Sequence, residues 1–417
     1  MSARTIVIVT IGQPSTNPRM VKEYAALKQA GYRVKVLYAY WADWALTTDV
    51  ALLAEKPFDP DDFILVGGSP RVQKGIYQFS RLYFKCSRFF TLKTSLPFFW
   101  KWALNRPAFF LARKAKKEKA DLYIAHNLAA LPAAMAAADK WRALCAFDAE
   151  DYHLGQVEAT AGKEYQLVKR LEETFMPRCV YVSAASPLIA RTYAERLGIG
   201  PVLVINNVFS IQSLQPEPVP YRRGETLKLF WFSQTVGPDR GLETVIAAMG
   251  TLRTGDVCCS ILGSCSESEK QRLLSLAVSS GINAEQLQFI DPVSPDEIFR
   301  VAASHHIGLA METNRTLNRR IALTNKLFTY PLSGLAIIAT DTPGQRDFLQ
   351  RYPGIGQLYT DGDIAALASL LEAFLADPGM LNQHRLQAWN YAKATLNWEK
   401  EQLNLLQQIA IVMKDVQ

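Results

Sequence analysis

Short apolar runs that end in polar, turn-rich stretches recur along the chain, with helical spacing between them. Thr5 to Thr10 is a near-continuous β-branched run, as expected of a strand inside a parallel sheet. A turn-rich loop from Ile11 to Arg19 leads to a helix from about Met20 to Ala30, stopped by Gly31, and Tyr32 to Tyr40 completes a βαβ unit. Further strands are predicted at Asp121 to Ala125, Leu144 to Phe147, Cys179 to Ser183 and Val202 to Ile205. Helices alternate with them at Leu128 to Lys140, Lys163 to Phe175 and Pro187 to Leu197. Gln212 to Glu225 sets Pro216, Pro218 and Pro220 among polar residues and reads as a linker.

Beyond it the pattern restarts. Strands are expected at Leu227 to Phe232, Val257 to Leu262, Leu287 to Ile290 and His305 to Met311, and helices close the chain at Ile364 to Ala376, Leu381 to Ala394 and Asn397 to Val412. A chain of 417 residues exceeds one ordinary core, so two α/β domains are expected, 1–215 and 225–395. The stretch from Asn325 to Leu349 gathers the chemistry: a short helix closed by Gly334, a buried strand, and an Asp341-Thr342-Pro343-Gly344 loop opening the next helix. Ligands of open α/β sheets bind at such strand ends, and Lys326 adds a positive charge there.

Other strand ends carry candidates. Gly12 permits close backbone approach, or is a plain turn glycine. His126-Asn127 follows a strand directly; a lone histidine is more often structural. Asp148-Ala149-Glu150-Asp151-Tyr152-His153 suits acid/base work or hydroxyl binding, or else a solvated turn and helix cap, and its spacing fits no fixed metal-ligand set. Ser233 to Gly241 combines small residues with Arg240 at a helix start, where an anion is favoured. Glu312 to Arg320 is a polar, basic loop suited to phosphate and hydroxyl groups.

Composition adds limits. With 49% hydrophobic and 20% charged residues the chain is globular, and six cysteines without a CxxC pair point to a reducing compartment, with no zinc site or disulfide framework. Thr5 to Ile11 reads as a strand, not a signal peptide, and no run of about 18 apolar residues suggests a spanning helix. Charge is uneven: Arg71 to Lys119 holds thirteen Lys or Arg against one acid, a balance of +12 in a chain of +7, leaving −5 elsewhere. Interleaved with these bases are Tyr77, Phe79, Tyr83, Phe84, Phe89, Phe90, Phe98, Phe99, Trp100, Trp102, Phe109 and Phe110. That mixture suits an anionic membrane surface, or an inward-packed core with a solvated outer face; nucleic acid is not the expected partner.

Several of these stretches resemble, in the right order, the retaining GT-B glycosyltransferases of family 4 (group 1). The likeness lies in Asn17-Pro18-Arg19 with Lys22-Glu23, the Asn206-Asn207 strand end, Arg240-Gly241, Asn325-Lys326, the Asp341-Thr342-Pro343-Gly344 turn and Asn397-Trp398-Glu399. The resemblance implies two Rossmann-like domains with parallel sheets facing a central cleft, and a last helix, about 397–417, packed back on the first domain. It implies a cytoplasmic transferase, peripheral at the inner membrane face, that uses a nucleotide-sugar donor as substrate and a glycan or lipid-linked acceptor, without cofactor or metal. His126, Asp148, Glu150, Asp151 and Glu312 would face the sugar and acceptor. Gly12, Gln234, Thr235, Gly237, Arg240, Gly241, Gly263, Asp291, Pro292, Asn318, Arg319, Asn325, Lys326 and Thr329 would line the donor site. Three departures stand out: the family's two glutamates fall at Ile321 and Thr329, and one of its bases falls at Gln234 or Thr235. A non-catalytic GT-B partner protein and a nucleotide-sugar epimerase are the alternatives.

Overall fold

The computed structural model describes residues 4–94, 99–158, 160, 162–252 and 256–414; Phe98, one of the interleaved aromatics, lies outside them. The chain divides into two compact units, Met1–Asn206 with Gln402–Gln417, and Asn207–Glu401. The first unit runs β1 (Thr5–Thr10), α1 (Pro18–Gln29), β2 (Arg33–Ala39), α2 (Asp43–Leu53), β3 (Phe63–Val66), α3 (Lys74–Phe89), α4 (Ala108–Ala115) and β4 (Leu122–His126). It continues with α5 (Leu131–Trp141), β5 (Leu144–Asp148), α6 (Lys163–Phe175), β6 (Val182–Ala184), α7 (Pro187–Leu197) and β7 (Leu203–Val204). Its strands form one parallel sheet in the order β3-β2-β1-β4-β5-β6-β7.

The second unit runs β8 (Leu227–Val236), α8 (Leu242–Thr251), β9 (Val257–Cys265), α9 (Glu267–Ser279), β10 (Leu287–Ile290), α10 (Pro295–Ala303), β11 (Ile307–Ala310) and α11 (Leu317–Ile321). Then come α12 (Lys326–Leu332), β12 (Ala336–Thr340), α13 (Pro343–Arg351), β13 (Gly356–Tyr359), α14 (Ile364–Ala376) and α15 (Pro378–Ala394); α16 (Trp398–Lys414) begins in this unit and from Gln402 belongs to the first. This sheet is also parallel, in the order β10-β9-β8-β11-β12-β13. In both sheets the strand order reverses beside the unit's first strand, at β1/β4 and at β8/β11, which is where open α/β sheets bind ligands.

Local chemistry explains the boundaries. Asn17, Ser186, Thr342, Asp363 and Asp377 each cap a helix by accepting from a first-turn backbone N–H. The apolar runs become central strands buried on both faces, as in β1, β4 and β12. Among the elements not announced by the pattern are α2, β3, α9, α10 and β13. Their signal is weak because they bury little; α9 buries only Leu273 and Ala277, and β13 only Tyr359.

Three strand and loop assignments change. β8 runs on through Gln234 and Thr235, so the expected loop from Ser233 is strand for its first four residues. β9 runs through Gly263, and the register shifts between Phe232 and Thr235. At Gly263, φ is +148°, and a Cβ would lie 2.1 Å from the Ser233 carbonyl oxygen, so this glycine serves strand-to-strand approach. The expected Glu312 to Arg320 loop ends in the short helix α11. No single helix among the described residues is long and apolar enough to cross a membrane.

One contact in the second unit is especially close. A Cβ on Gly308 would lie 2.2 Å from the Tyr330 ring, whose hydroxyl donates to the Leu309 carbonyl at 2.9 Å. Gly308→Ala should therefore destabilise the protein by about 1–3 kcal/mol through overpacking, read as a lower urea midpoint at unchanged m-value. An unchanged midpoint would show that Tyr330 yields freely.

Candidate functional site

In the first unit, polar side chains from the ends of β4, β5 and α1 converge below the surface. His126 is the last residue of β4, not of a following loop, and is fully buried. Its Nε2 lies 2.5 Å from Glu23 of α1, and its Nδ1 lies 3.2 Å from Glu150 and 3.3 Å from Asp148. Arg19, one turn before Glu23, donates to both Asp148 oxygens at 2.9 and 2.8 Å, and to the Ile205 carbonyl at 2.6 Å. Ser183 donates to Asp148 at 2.8 Å. Asn17 and Asn127 donate to the two Glu150 oxygens at 2.9 and 3.0 Å. Asn127 and Glu150 both hold positive φ, 68° and 56°, the uncommon left-handed half of the map, which non-glycine residues occupy where surrounding bonds enforce it.

Charge explains the closure of this network. Burial alone would depress the His126 pKa, but hydrogen bonds to Glu150 and Glu23 and the charges of Glu23 and Asp148 raise it to about 10, so the ring is an imidazolium at neutral pH. Burial would raise Asp148; the Arg19 and His126 charges outweigh it and lower it to about 2. His126, Asp148 and Glu150 offer ligand atoms within 4.8 Å of one another, the spacing of a metal site. Each of those atoms already has a partner, and a guanidinium occupies both Asp148 oxygens, so the donor set is matched to cations of its own.

Asp151 stands apart from this network. It accepts from Gln156 at 2.8 Å and, with Ile11, Asn105, Asn127, His153 and Gln156, lines a cavity of about 270 Å³ in the first unit. His153 Nε2 is buried there without a hydrogen-bond partner among the described residues. Gly12 lies in the β1 loop, its N–H donating to the Thr10 hydroxyl at 3.3 Å. Such a mixture of amides, a carboxylate and an imidazole can bind hydroxyl groups.

In the second unit the cations lie at the carboxyl ends of β8 and β11 and on the helix before β12. Lys326 Nζ lies 3.6 Å from Glu312 and 5.5 Å and 5.7 Å from the Trp231 and Phe232 ring centroids. Burial lowers its pKa, Glu312 opposes that, and the charges of Arg240 and Arg319 reinforce it. Three cations against one carboxylate make a site that an anion would complete. Glu312 is fixed through its backbone, which exchanges hydrogen bonds with the Thr340 hydroxyl at 2.8 and 2.7 Å. Gln345 donates to the same hydroxyl at 2.8 Å.

The other expected donor residues divide. Gly241 has φ +80° and packs against Met311, while Gly237 has open space around it. Gln234, Thr235, Asp291 and Pro292 are exposed and Arg319 is exposed beside Thr313. Asn325 opens α12 and accepts from Asn207 at 3.0 Å, and Asn318 is buried on α11. Thr329 is buried and its hydroxyl donates to the Asn325 carbonyl at 3.1 Å, so its hydrogen bond is spent within its own helix. Ile321 is buried apolar. Asp341, in the turn after β12, is held by Arg346 at 2.6 Å.

Ser183 did not stand out in the sequence at all; Asn17, Arg19 and Glu23 stood out only through the resemblance, and Asn127 only as the neighbour of His126. Their available signal was the spacing of Arg19 and Glu23 four apart, which puts both on one face of α1.

Neither a protein-family model nor a curated protein sequence matches the chain. Solved structures do match along its whole length. Anabaena HepE with UDP-glucose aligns with a TM-score of 0.68 at 15% identity, covering 98% of this chain and 100% of that one. Sucrose-phosphate synthase from Thermosynechococcus elongatus aligns at 0.66 and 14%, covering 99% of each. WaaG, a glycosyltransferase involved in lipopolysaccharide biosynthesis, aligns at 0.62 and 12%, covering 97% and 99%. The chain thus has the α/β fold of the GT-B glycosyltransferases, two Rossmann-like domains each built on a parallel sheet.

The buried network makes stability pH-dependent. Because the folded pKa of His126 lies above its ordinary 6.5, its contribution is complete below pH 6.5 and is lost as pH rises through about 10. Asp148 contributes above 3.8 and loses that contribution as pH falls through about 2. His126→Gln should cost about 3–5 kcal/mol at pH 6 and flatten the decline between pH 6.5 and 10, measured by urea unfolding across that range. A wild-type curve flat to pH 10 would mean that the imidazole is neutral.

Proposed function

We propose that the protein is a retaining glycosyltransferase of family 4 type that moves a sugar from a nucleotide-sugar donor to a glycan or lipid-linked acceptor in cell-envelope polysaccharide synthesis. The observation that carries this is the half-buried Lys326 beside Glu312, with Arg240 and Arg319 in its field, at the carboxyl ends of a Rossmann-like sheet. In this reading Arg240 and Lys326 bind the donor diphosphate. As the bond from the anomeric carbon to the diphosphate oxygen breaks, the electron pair stays on the diphosphate and these cations stabilise it. The acceptor hydroxyl forms the new glycosidic bond and passes its proton to the departing diphosphate oxygen. No metal or further cofactor is required where fixed cations supply the charge. The neighbours support the donor class: HepE has been solved with UDP and with UDP-glucose.

The acceptor falls to the first unit in this proposal, with Asp151, Asn127 and the 270 Å³ cavity receiving hydroxyls. His126, Glu23, Asp148 and Arg19 act as positioning residues, holding Glu150 and Asn127 in their strained backbone conformations. Thr329 and Ile321 give a second reading its footing, since neither presents a carboxylate. A non-catalytic GT-B partner would show the same fold. We place the protein in the cytoplasm, peripheral at an anionic membrane face through the Arg71 to Lys119 segment.

A thermal-shift and calorimetric screen against UDP, GDP, ADP and TDP separates these readings. One nucleotide at about 100 times its Kd should add about 2.7 kcal/mol of stability, and Arg240→Ala and Lys326→Ala should each abolish most of that gain. If none binds, the transferase reading falls and the partner reading replaces it.

A further inference from the structure

Helix α3 is amphipathic in the wrong sense for a helix of a soluble core. Its buried residues are Ser80 and Ser87, while Ile76, Phe79, Leu82 and Phe89 are 44%, 54%, 59% and 56% exposed. The polar face is the one fixed to the unit: Arg106 donates to the Ser80 hydroxyl at 2.7 Å, to the Gly67 carbonyl at 2.9 Å and to the Tyr40 carbonyl at 3.0 Å. The neighbouring aromatics take the inward option, Tyr83 stacking on Phe109 at 4.2 Å and Phe90 on Phe99 at 5.4 Å. Hydrocarbon left outward on a helix that has polar anchors needs its own solvent.

Beside this stripe, a groove of about 700 Å³ runs along β3, the edge strand of the sheet. Ile64, Ile76, Phe79 and Phe110 form its walls, and Arg113 and Lys117 stand on it. Lys114, also on the groove, is paired with Glu118 at 2.6 Å, so the charge available to a ligand centres on Arg113 and Lys117. We infer that this groove is a binding site for one anionic phospholipid, its acyl chain on the apolar walls and its phosphate on Arg113 and Lys117. Charge complementarity selects the occupant: apolar walls alone would accept any hydrophobe, whereas two cations beside them need an anion attached to it. The inference rests on the bilayer reading only for the source of the lipid, and the α3 stripe would reach that bilayer from the same side of the helix.

The test is calorimetric titration of the full chain with monomeric dihexanoyl phosphatidylglycerol, against dihexanoyl phosphatidylcholine. Saturable one-to-one binding of the anionic lipid is expected. It should weaken at least tenfold in R113E/K117E, persist in R113K, and vanish in I76W, which fills the groove; melting curves check that each variant is folded. Equal affinity for the two lipids, or binding indifferent to these substitutions, overturns the proposal. Flotation with phosphatidylglycerol vesicles tests the bilayer reading separately, with L82S/F89S as its variant. Titration without flotation sinks the bilayer reading alone, and flotation without one-to-one titration sinks the groove.

Discussion

Arg19 and Asp148 meet in a bidentate pair below the surface of the first unit, and burial on that scale forces every neighbour to answer in charge or hydrogen bonds. The answer spreads outward: Asp148 also takes Ser183 and His126, His126 takes Glu23 and Glu150, and Glu150 takes two asparagines. One helix and three adjacent strands, β4, β5 and β6, are thereby tied at a single point, with the Ile205 carbonyl joined to it through Arg19. The second unit solves a similar problem with an imbalance. Its three cations have one carboxylate in their midst, so that unit is left electrostatically incomplete where the first is satisfied.

Much of the fold was legible because parallel sheets write their centres plainly. β1, α6, α7, β10 and α14 begin and end where the apolar pattern places them. The elements that escaped are those with little to bury, such as the edge strands β3 and β13. The extension of β8 and β9 escaped for a different reason: the small residues of Ser233 to Gly237 look like a loop in one dimension. Only the pairing of Gly263 against Ser233 shows that they stay in the ladder.

The site was less legible, and for a physical reason. Residue types announce which chemistry is present, and the strand ends announce where it gathers, so His126, Asp148, Glu150 and Lys326 could be picked out. Partnership is set by tertiary contacts across more than a hundred positions, as between Glu23 and His126. Sequence could not say that Thr329 faces its own helix, or that His126 has both ring nitrogens engaged. The Arg71 to Lys119 segment divides the two readings offered for it: most of its rings pack on one another, and the α3 stripe stays exposed even where Phe79 meets Phe110 and Phe89 meets Phe90.

The discontinuity of the first unit bears on synthesis. Its residues through Asn206 leave the ribosome early, but the turns of α16 that it also needs, with buried Leu405, Ile409 and Met413, are made only after the whole of the second unit. The second unit is a continuous stretch and can close as it emerges. The nascent chain therefore carries an unfinished first unit through the making of nearly two hundred further residues, and the apolar surface that Leu405, Ile409 and Met413 later bury has no cover until then.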